Sequence, residues 1–332
     1  MTGSGAAAIL VARECDAPGW RLFGDKRLFG LLHYKPMPLR AMLDHNLIHV
    51  RDMMIGQFLM FALFATAFLA FILWTRQTRS HLFRIRQTVF KPGQFRREAF
   101  NSGRTIVVYN AIQIAARIGI LAFGLILTFD ETPPLWQVVL SFPLIMIGHD
   151  TYFYWTHRFF HLPGVYQFIH REHHKSRAPT VFTAYSFSII ESAVQGAYPI
   201  LFVALFPCTF YTLIFFYTVA FLHDVTVHSG VDPFPRWLIL GRFGWVCGSV
   251  HHDMHHEVGR TNYGLYTHFW DRLMGTEHPD FERVFDYVHA PGNDGRVYER
   301  LIRGAPSQAD VQPLQAPAEP QVEAQVEAEA VS

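Results

Sequence analysis

The chain has 332 residues, 28 basic against 27 acidic, and half of them are hydrophobic. A net charge of +1 gives no general attraction to nucleic acid. Three scattered cysteines (Cys15, Cys208, Cys247) make neither a disulfide framework nor a CxxC zinc pattern, and read as buried apolar thiols.

Residues 1–55 are mixed and without a clear period; they form an N-terminal segment. From 56 to 74 no charge occurs and only Gln57 and Thr66 are polar, which is about the length a helix needs to cross a bilayer. The run starts too far into the chain and is too long for a cleavable signal peptide. Residues 76–104 follow, with eight Lys or Arg against Glu98 alone. A short loop this basic stays on the cytoplasmic side. A second span is expected over roughly 105–129, with Arg117 inside it facing the bundle interior or snorkelling, and it ends in the turn DETPP. The third, 135–148, continues as helix into the first histidines. The fourth and fifth, roughly 181–205 and 210–222, are joined by a tight turn at Phe206-Pro207-Cys208.

This threading lands every histidine cluster on the cytoplasmic side, an agreement that the charge argument did not build in. The expected fold is all-α and integral to a membrane. It has four to five transmembrane helices and a cytosolic helical cap reaching to about residue 303. After Gly304 the chain is Ala, Pro, Gln, Glu and Val with no aromatic, which reads as a disordered tail over 304–332.

Histidine is the compositional outlier. There are 19, and 12 of them lie between His149 and His256. His157 and His161 stand four apart in HRFFH. His170, His173 and His174 form HREHH. His252, His255 and His256 repeat that HxxHH spacing, with His251 extra, and His223 and His228 form a looser pair in HDVTVHSG. Residues three and four apart share one helix face, so two such imidazoles can chelate one ion. Adjacent histidines point about 100° apart, so His173–His174 and His255–His256 can each serve two neighbouring ions. An all-nitrogen site with this many ligands fits a di-iron centre that activates O2, although spacing alone does not name the metal. Structural zinc needs only four ligands, usually with cysteine. His149 lies two turns before His157 and is either a ligand or a supporting group. Asp150, Glu172, Asp224, Asp253 and Asp271 lie near the clusters and are candidates to accept the second N–H of ligand imidazoles. The remaining histidines, His268 among them, read as ordinary.

The stretches HDTYFYWTHRFFHLPGVYQFIHREHHKSRAPT and SVHHDMHHEVGRTNYGLYTHFWDRLMGTEHPDF resemble the fatty acid hydroxylase / sterol desaturase superfamily. The segments GQFRREAFNSG and FLHDVTVHSG look closest to the sterol C5-desaturase branch. The resemblance covers roughly residues 94–280, and with it comes a membrane domain expected over 56–303. It implies two iron ions, O2 as co-substrate, and electrons from a cytochrome b5-like or ferredoxin donor with its reductase. It implies His157, His161, His170, His173, His174, His252, His255 and His256 as ligands, with His223 or His228 as a further one. Where sterol C5-desaturases carry further histidines, this chain has AYSFSIIES. The expected substrate therefore widens from sterols to carotenoids, sphingolipids, acyl chains or hopanoids. The expected function is lipid hydroxylation or desaturation at a bacterial inner membrane, with the oligomeric state left open. The rivals are a histidine-rich metal transporter or sensor, which needs ligands near the bilayer midplane, and an intramembrane zinc protease, whose HExxH string is absent.

Overall fold

The basic stretch before the second expected span is not simply a loop. In the computed structural model, α1 (Gln94–Ala122) begins eleven residues before the span was expected to start. Its first turns are polar because they are buried against polar partners. Glu98 is fully buried and accepts hydrogen bonds from Gln94, Ser176 and Thr180. Ser102 donates to the Phe182 carbonyl, and Thr105 pairs with Ser192. The described residues are 84–86, 91–122, 134–206, 210–241, 245–290, 298, 302 and scattered positions between 55 and 70. The expected span at 56–74 and the expected tail at 304–332 fall mostly or wholly outside them.

Among the described residues regular structure is helical, with two isolated antiparallel bridges, Arg84–Val231 and Val246–Thr267, and no strand. After α1 come α2 (Leu135–Phe160), the single turn α3 (Arg171–His174) and a 3-10 turn at Thr183–Tyr185. Then follow α4 (Ile189–Leu205), α5 (Phe210–Val227), α6 (Arg236–Ile239), α7 (Ser249–Val258), α8 (Phe269–Met274) and α9 (Phe281–Val288). The fourth apolar element starts at Ile189, not Val181, because Ser188 caps it by accepting from the Glu191 N–H. The Ser-x-x-Glu pattern is a helix-start signature.

Three cores position the site. Ile145 of α2, Tyr198 and Phe202 of α4 and Phe216 of α5 join the long helices. Ile106 of α1 packs with Val181, Ala184, Phe221 and Val225. The apolar face of α9 (Phe281, Val284, Phe285, Val288) lies on Val250 and Met254 of α7. Among the described residues no helix is long and apolar enough to cross a membrane. In α2 the reason is visible: an apolar first half runs on without a break into the polar, histidine-bearing second half.

Arg86 ties the segment before α1 to α7. Its Nε donates to Asp253 Oδ1 at 2.7 Å and its Nη1 to Glu257 Oε2 at 2.8 Å, and its guanidinium lies over the Tyr298 ring at 4.8 Å. Asp253, expected beside a ligand imidazole, is instead occupied with this arginine. All three charged groups are nearly excluded from water. Arg86→Met is expected to take this cation from both carboxylates and to cost about 3–5 kcal/mol. Arg86→Lys should recover only part of this, since one ammonium lacks the planar fork. Thermal unfolding midpoints of the two variants check both expectations, and equal midpoints for wild type and Arg86→Met would refute the clamp.

Candidate metal centre

The histidines converge from α2, α3, α5, α7 and the turns beside them. Two groups form. His157, His161, His170, His174 and His255 have donor atoms within 4.8 Å of one another, and so do His173, His228, His252 and His256. The neighbours His173 and His174 go to different groups, as do His255 and His256, as the angle between successive side chains on a helix requires. His174 and His256 rings are 4.7 Å apart between centroids, so the groups adjoin.

Within each group the ring nitrogens face one another at short range. His157 Nε2 approaches His170 Nε2 at 3.0 Å, and His255 Nε2 lies 3.1 Å from His161 Nε2 and 3.0 Å from His174 Nε2. His228 Nε2 lies 2.9 Å from His252 Nε2 and 3.4 Å from His173 Nε2. Two nitrogens bound to one ion at about 2.1 Å stand about 3.0–3.4 Å apart for angles between about 90° and 109°. The spacing is therefore that of one coordination shell per group. Both ring nitrogens of His256 are buried without a hydrogen-bond partner, as are Nδ1 of His173 and of His252. Orphaned buried nitrogens of this kind are costly unless a cation meets them. The residues fit two metal ions.

The second ring nitrogen decides which way each ligand faces. His157 Nδ1 is 2.8 Å from the Tyr263 carbonyl, His255 Nδ1 is 2.7 Å from the Thr261 carbonyl and His228 Nδ1 is 2.8 Å from the Asp224 carbonyl. Each can donate there, leaving the Nε2 lone pair turned inward. The loop that supplies two of these carbonyls leaves α7 at Gly259, whose φ of 71° closes the helix. It turns at Asn262, φ 58°, an angle that asparagine tolerates. Asn262 donates to the His251 carbonyl, and Asp271 accepts from the Tyr263 and Gly264 N–H groups.

The expected supporting residues divide. Glu172 bonds Lys175 and Asn101 rather than a histidine. Asp150 receives the Tyr266 and Thr267 N–H groups, and Asp224 Oδ1 stands 3.1 Å from His228 Nδ1. His223 Nε2 lies 2.7 Å from the Leu265 carbonyl and belongs to neither group, whereas His228 belongs to the second. His149 Nδ1 meets the Tyr266 hydroxyl at 2.8 Å, beside a cavity that Phe187, Gln195, Tyr185 and Asp224 also line. Sequence reasoning missed Glu191, which is fully buried with Oε1 2.5 Å from His170 Nδ1. The signal was there: a lone carboxylate inside the apolar run SFSIIESAVQ. No residue type at fixed spacing marks its histidine partner.

Residues 142–276 match the family model described as fatty acid hydroxylase, and both HxxHH boxes and the HxxxH pair fall inside the match. Over these residues the chain is similar to the fatty acid hydroxylase superfamily. The domain is 32% identical over 158 residues to a Delta(7)-sterol 5(6)-desaturase of Leptosphaeria maculans, covering 48% of this chain and 42% of the relative. It is 33% identical to a C-4 methylsterol oxidase of Schizosaccharomyces pombe, over 44% of this chain and 48% of the relative. It is 31% identical to the cholesterol 25-hydroxylase of Rattus norvegicus, over 44% and 49%. The alignments thus span somewhat under half the length of these relatives. They put the fatty acid hydroxylase domain on the sterol desaturase-like side of the superfamily. No solved structure matches the chain.

Burial first, and the neighbouring imidazoles second, hold His157, His170, His173, His174, His252 and His256 well below the usual histidine range. Burial lowers His255 to about 4. Neutral rings are what a metal needs. Their folded pKa values lie below the free value of about 6.5, so the unfolded chain takes up protons first as pH falls. The stability that the neutral rings contribute is whole above about 6.5 and is lost as pH falls from there toward about 4. The metal-free protein is expected to melt at progressively lower temperature across that window, and a melting temperature independent of pH would contradict the burial. Separately, Glu191→Gln is expected to weaken metal affinity by about 10–100-fold, measured by competition with a chelator.

Proposed function

We propose that this protein is an O2-dependent membrane di-iron oxidoreductase that hydroxylates or desaturates a lipid. The observation that carries the reading is the pair of adjoining, buried, all-imidazole groups, with His173/His174 and His255/His256 divided between them. Nine donors in two adjoining groups are more than one structural ion needs. The relatives named above act on sterols by their names, which supports a lipid substrate. A transporter is not favoured, because the donors are enclosed and are turned inward by fixed carbonyls.

When bound, a pair of iron ions would supply O2 activation and the removal of hydrogen from an unactivated C–H bond. The chain's own residues do the rest. His157, His161, His170, His174 and His255 would hold one ion, and His173, His228, His252 and His256 the other. Glu191 and the carbonyls of Thr261, Tyr263 and Asp224 orient the ligand rings. The cavity beside the second group is walled by Phe153, Phe187, Phe216 and Leu265, with Tyr109, Gln195 and Asp224 as its polar points. Phe187 also lies 5.1 Å from the His173 ring, so apolar substrate in this cavity would rest next to the second group.

The membrane setting is part of the same proposal. Leu135, Trp136, Val139, Leu144 and Ile147 of α2 are exposed, as are Leu201 and Leu205 of α4 and Ile214 and Phe215 of α5. Exposed large apolar side chains gathered on these helices suit a surface covered by lipid. We assign residues 56–303 to the membrane domain, with 1–55 and 304–332 as appendages. The histidine groups face the cytoplasm of a bacterial inner membrane. Electrons come from a cytochrome b5-like or ferredoxin donor with its reductase. The substrate is a sterol-like lipid, carotenoid, sphingolipid or acyl chain.

Comparative lipid and carotenoid profiling of a deletion strain is expected to reveal a missing hydroxylated or desaturated species. Plasmid-borne wild type should restore it, and His173→Ala should not. The purified protein should carry about two iron ions, one per imidazole group. An unchanged lipid profile together with zinc in place of iron would defeat the reading.

A further inference from the structure

A third cluster of metal-binding groups lies outside the two imidazole groups. Cys247, His251 and His268 are fully buried, and their donor atoms lie within 4.8 Å of one another. Backbone pairing builds the arrangement. The bridge between Val246 and Thr267 brings two distant segments side by side, with the Cys247 N–H donating to the Tyr266 carbonyl and the His268 N–H to the Trp245 carbonyl. Cys247 and His268 thereby become neighbours across the bridge. His251 lies in the first turn of α7, four residues after Cys247. Gly264 closes one side: a Cβ there would stand 2.9 Å from Asp271 Oδ2 and 3.3 Å from Cys247 Sγ.

The polar atoms inside are not satisfied by one another. Neither ring nitrogen of His251 makes a hydrogen bond; Asp271 Oδ2, at 3.5 Å from its Nε2, is a nearby anion. Its ring neighbours are His268 and Phe281, not the nine imidazoles of the two larger groups. His268 Nε2 lies 2.8 Å from the Val246 carbonyl and donates there, which leaves the Nδ1 lone pair. That Nδ1 faces Glu277 Oε1 at 2.8 Å. Two acceptors this close need a proton or a metal ion between or beside them. A ligand imidazole fixed through its far N–H to a carbonyl is the usual arrangement at metal sites.

We propose that Cys247, His251 and His268 bind a third, structural metal ion of the zinc type, with a carboxylate oxygen of Asp271 or Glu277 as fourth ligand. One sulfur, two nitrogens and one oxygen make a closed four-coordinate set suited to a borderline-soft ion, unlike the all-nitrogen groups. The thiol gives up its proton on binding. The ion staples the start of α7, which carries His252, His255 and His256, to the loop whose Thr261 and Tyr263 carbonyls orient His255 and His157. It does not depend on what the two larger groups bind.

The test uses the full-length purified protein. Elemental analysis of zinc-supplemented protein is expected to give about one zinc beyond the content of the two larger groups. Cys247→Ser and His268→Gln should each lose that equivalent and keep the others. Because either variant can fail to fold, wild type is also loaded with cobalt(II). A thiolate-to-cobalt charge-transfer band is expected, since imidazole ligands cannot produce one. The band should persist in Cys15→Ser and Cys208→Ser. No band in cobalt-loaded wild type, or a band lost in Cys208→Ser, overturns the proposal. Iron missing from the larger groups while the thiolate band remains would sink the oxygenase reading alone.

Discussion

Nine imidazoles, eight of them buried, aimed at two shared points are the constraint on which this structure turns. Neutral rings whose lone pairs face one another repel at 3 Å unless something positive lies between them. Holding them there takes rigid support, and polar groups around the two points provide it. The carbonyls of Thr261, Tyr263 and Asp224 and the carboxylate of Glu191 each engage the outer nitrogen of one ring. The ligand atoms are thereby aimed before any ion arrives.

A second layer holds those carbonyls. Asp271 receives two successive backbone N–H groups of the 263–264 loop, and Asn262 reaches the His251 carbonyl and accepts from the His278 N–H. Asp150 of α2 receives the Tyr266 and Thr267 N–H groups, binding the loop to the helix that carries His157 and His161. Arg86 does the same for α7 through Asp253 and Glu257. Buried carboxylates here serve the backbone or an arginine more often than a histidine, because a loop at the edge of a bundle has N–H groups that no helix ladder satisfies.

That division explains where reading the sequence went astray. HxxxH and HxxHH are legible because helix geometry alone puts such residues on one face. Closeness along the chain picked Glu172 as a supporting group, yet its side chain bonds Lys175 and Asn101, while Glu191, seventeen residues after His174, meets His170. His223 and His228 are equally spaced choices on paper. Only the packing of α5 against the 263–266 loop sends His223 to the Leu265 carbonyl and leaves His228 beside His173 and His252. His268, set aside as ordinary, comes to lie beside Cys247 and His251 through a backbone bridge between segments about twenty residues apart.

By itself, the sequence determined the helical class, the histidine boxes, the division of adjacent histidines between two points, and the family. Those features depend on periodicity within one helix, where neighbours in sequence are neighbours in space. Tertiary structure alone decided which outer groups hold the rings, which of two histidines completes the second group, and that α1 buries its polar start against Ser176 and Thr180. Each of these is a contact between segments far apart in the chain, set by how the helices pack.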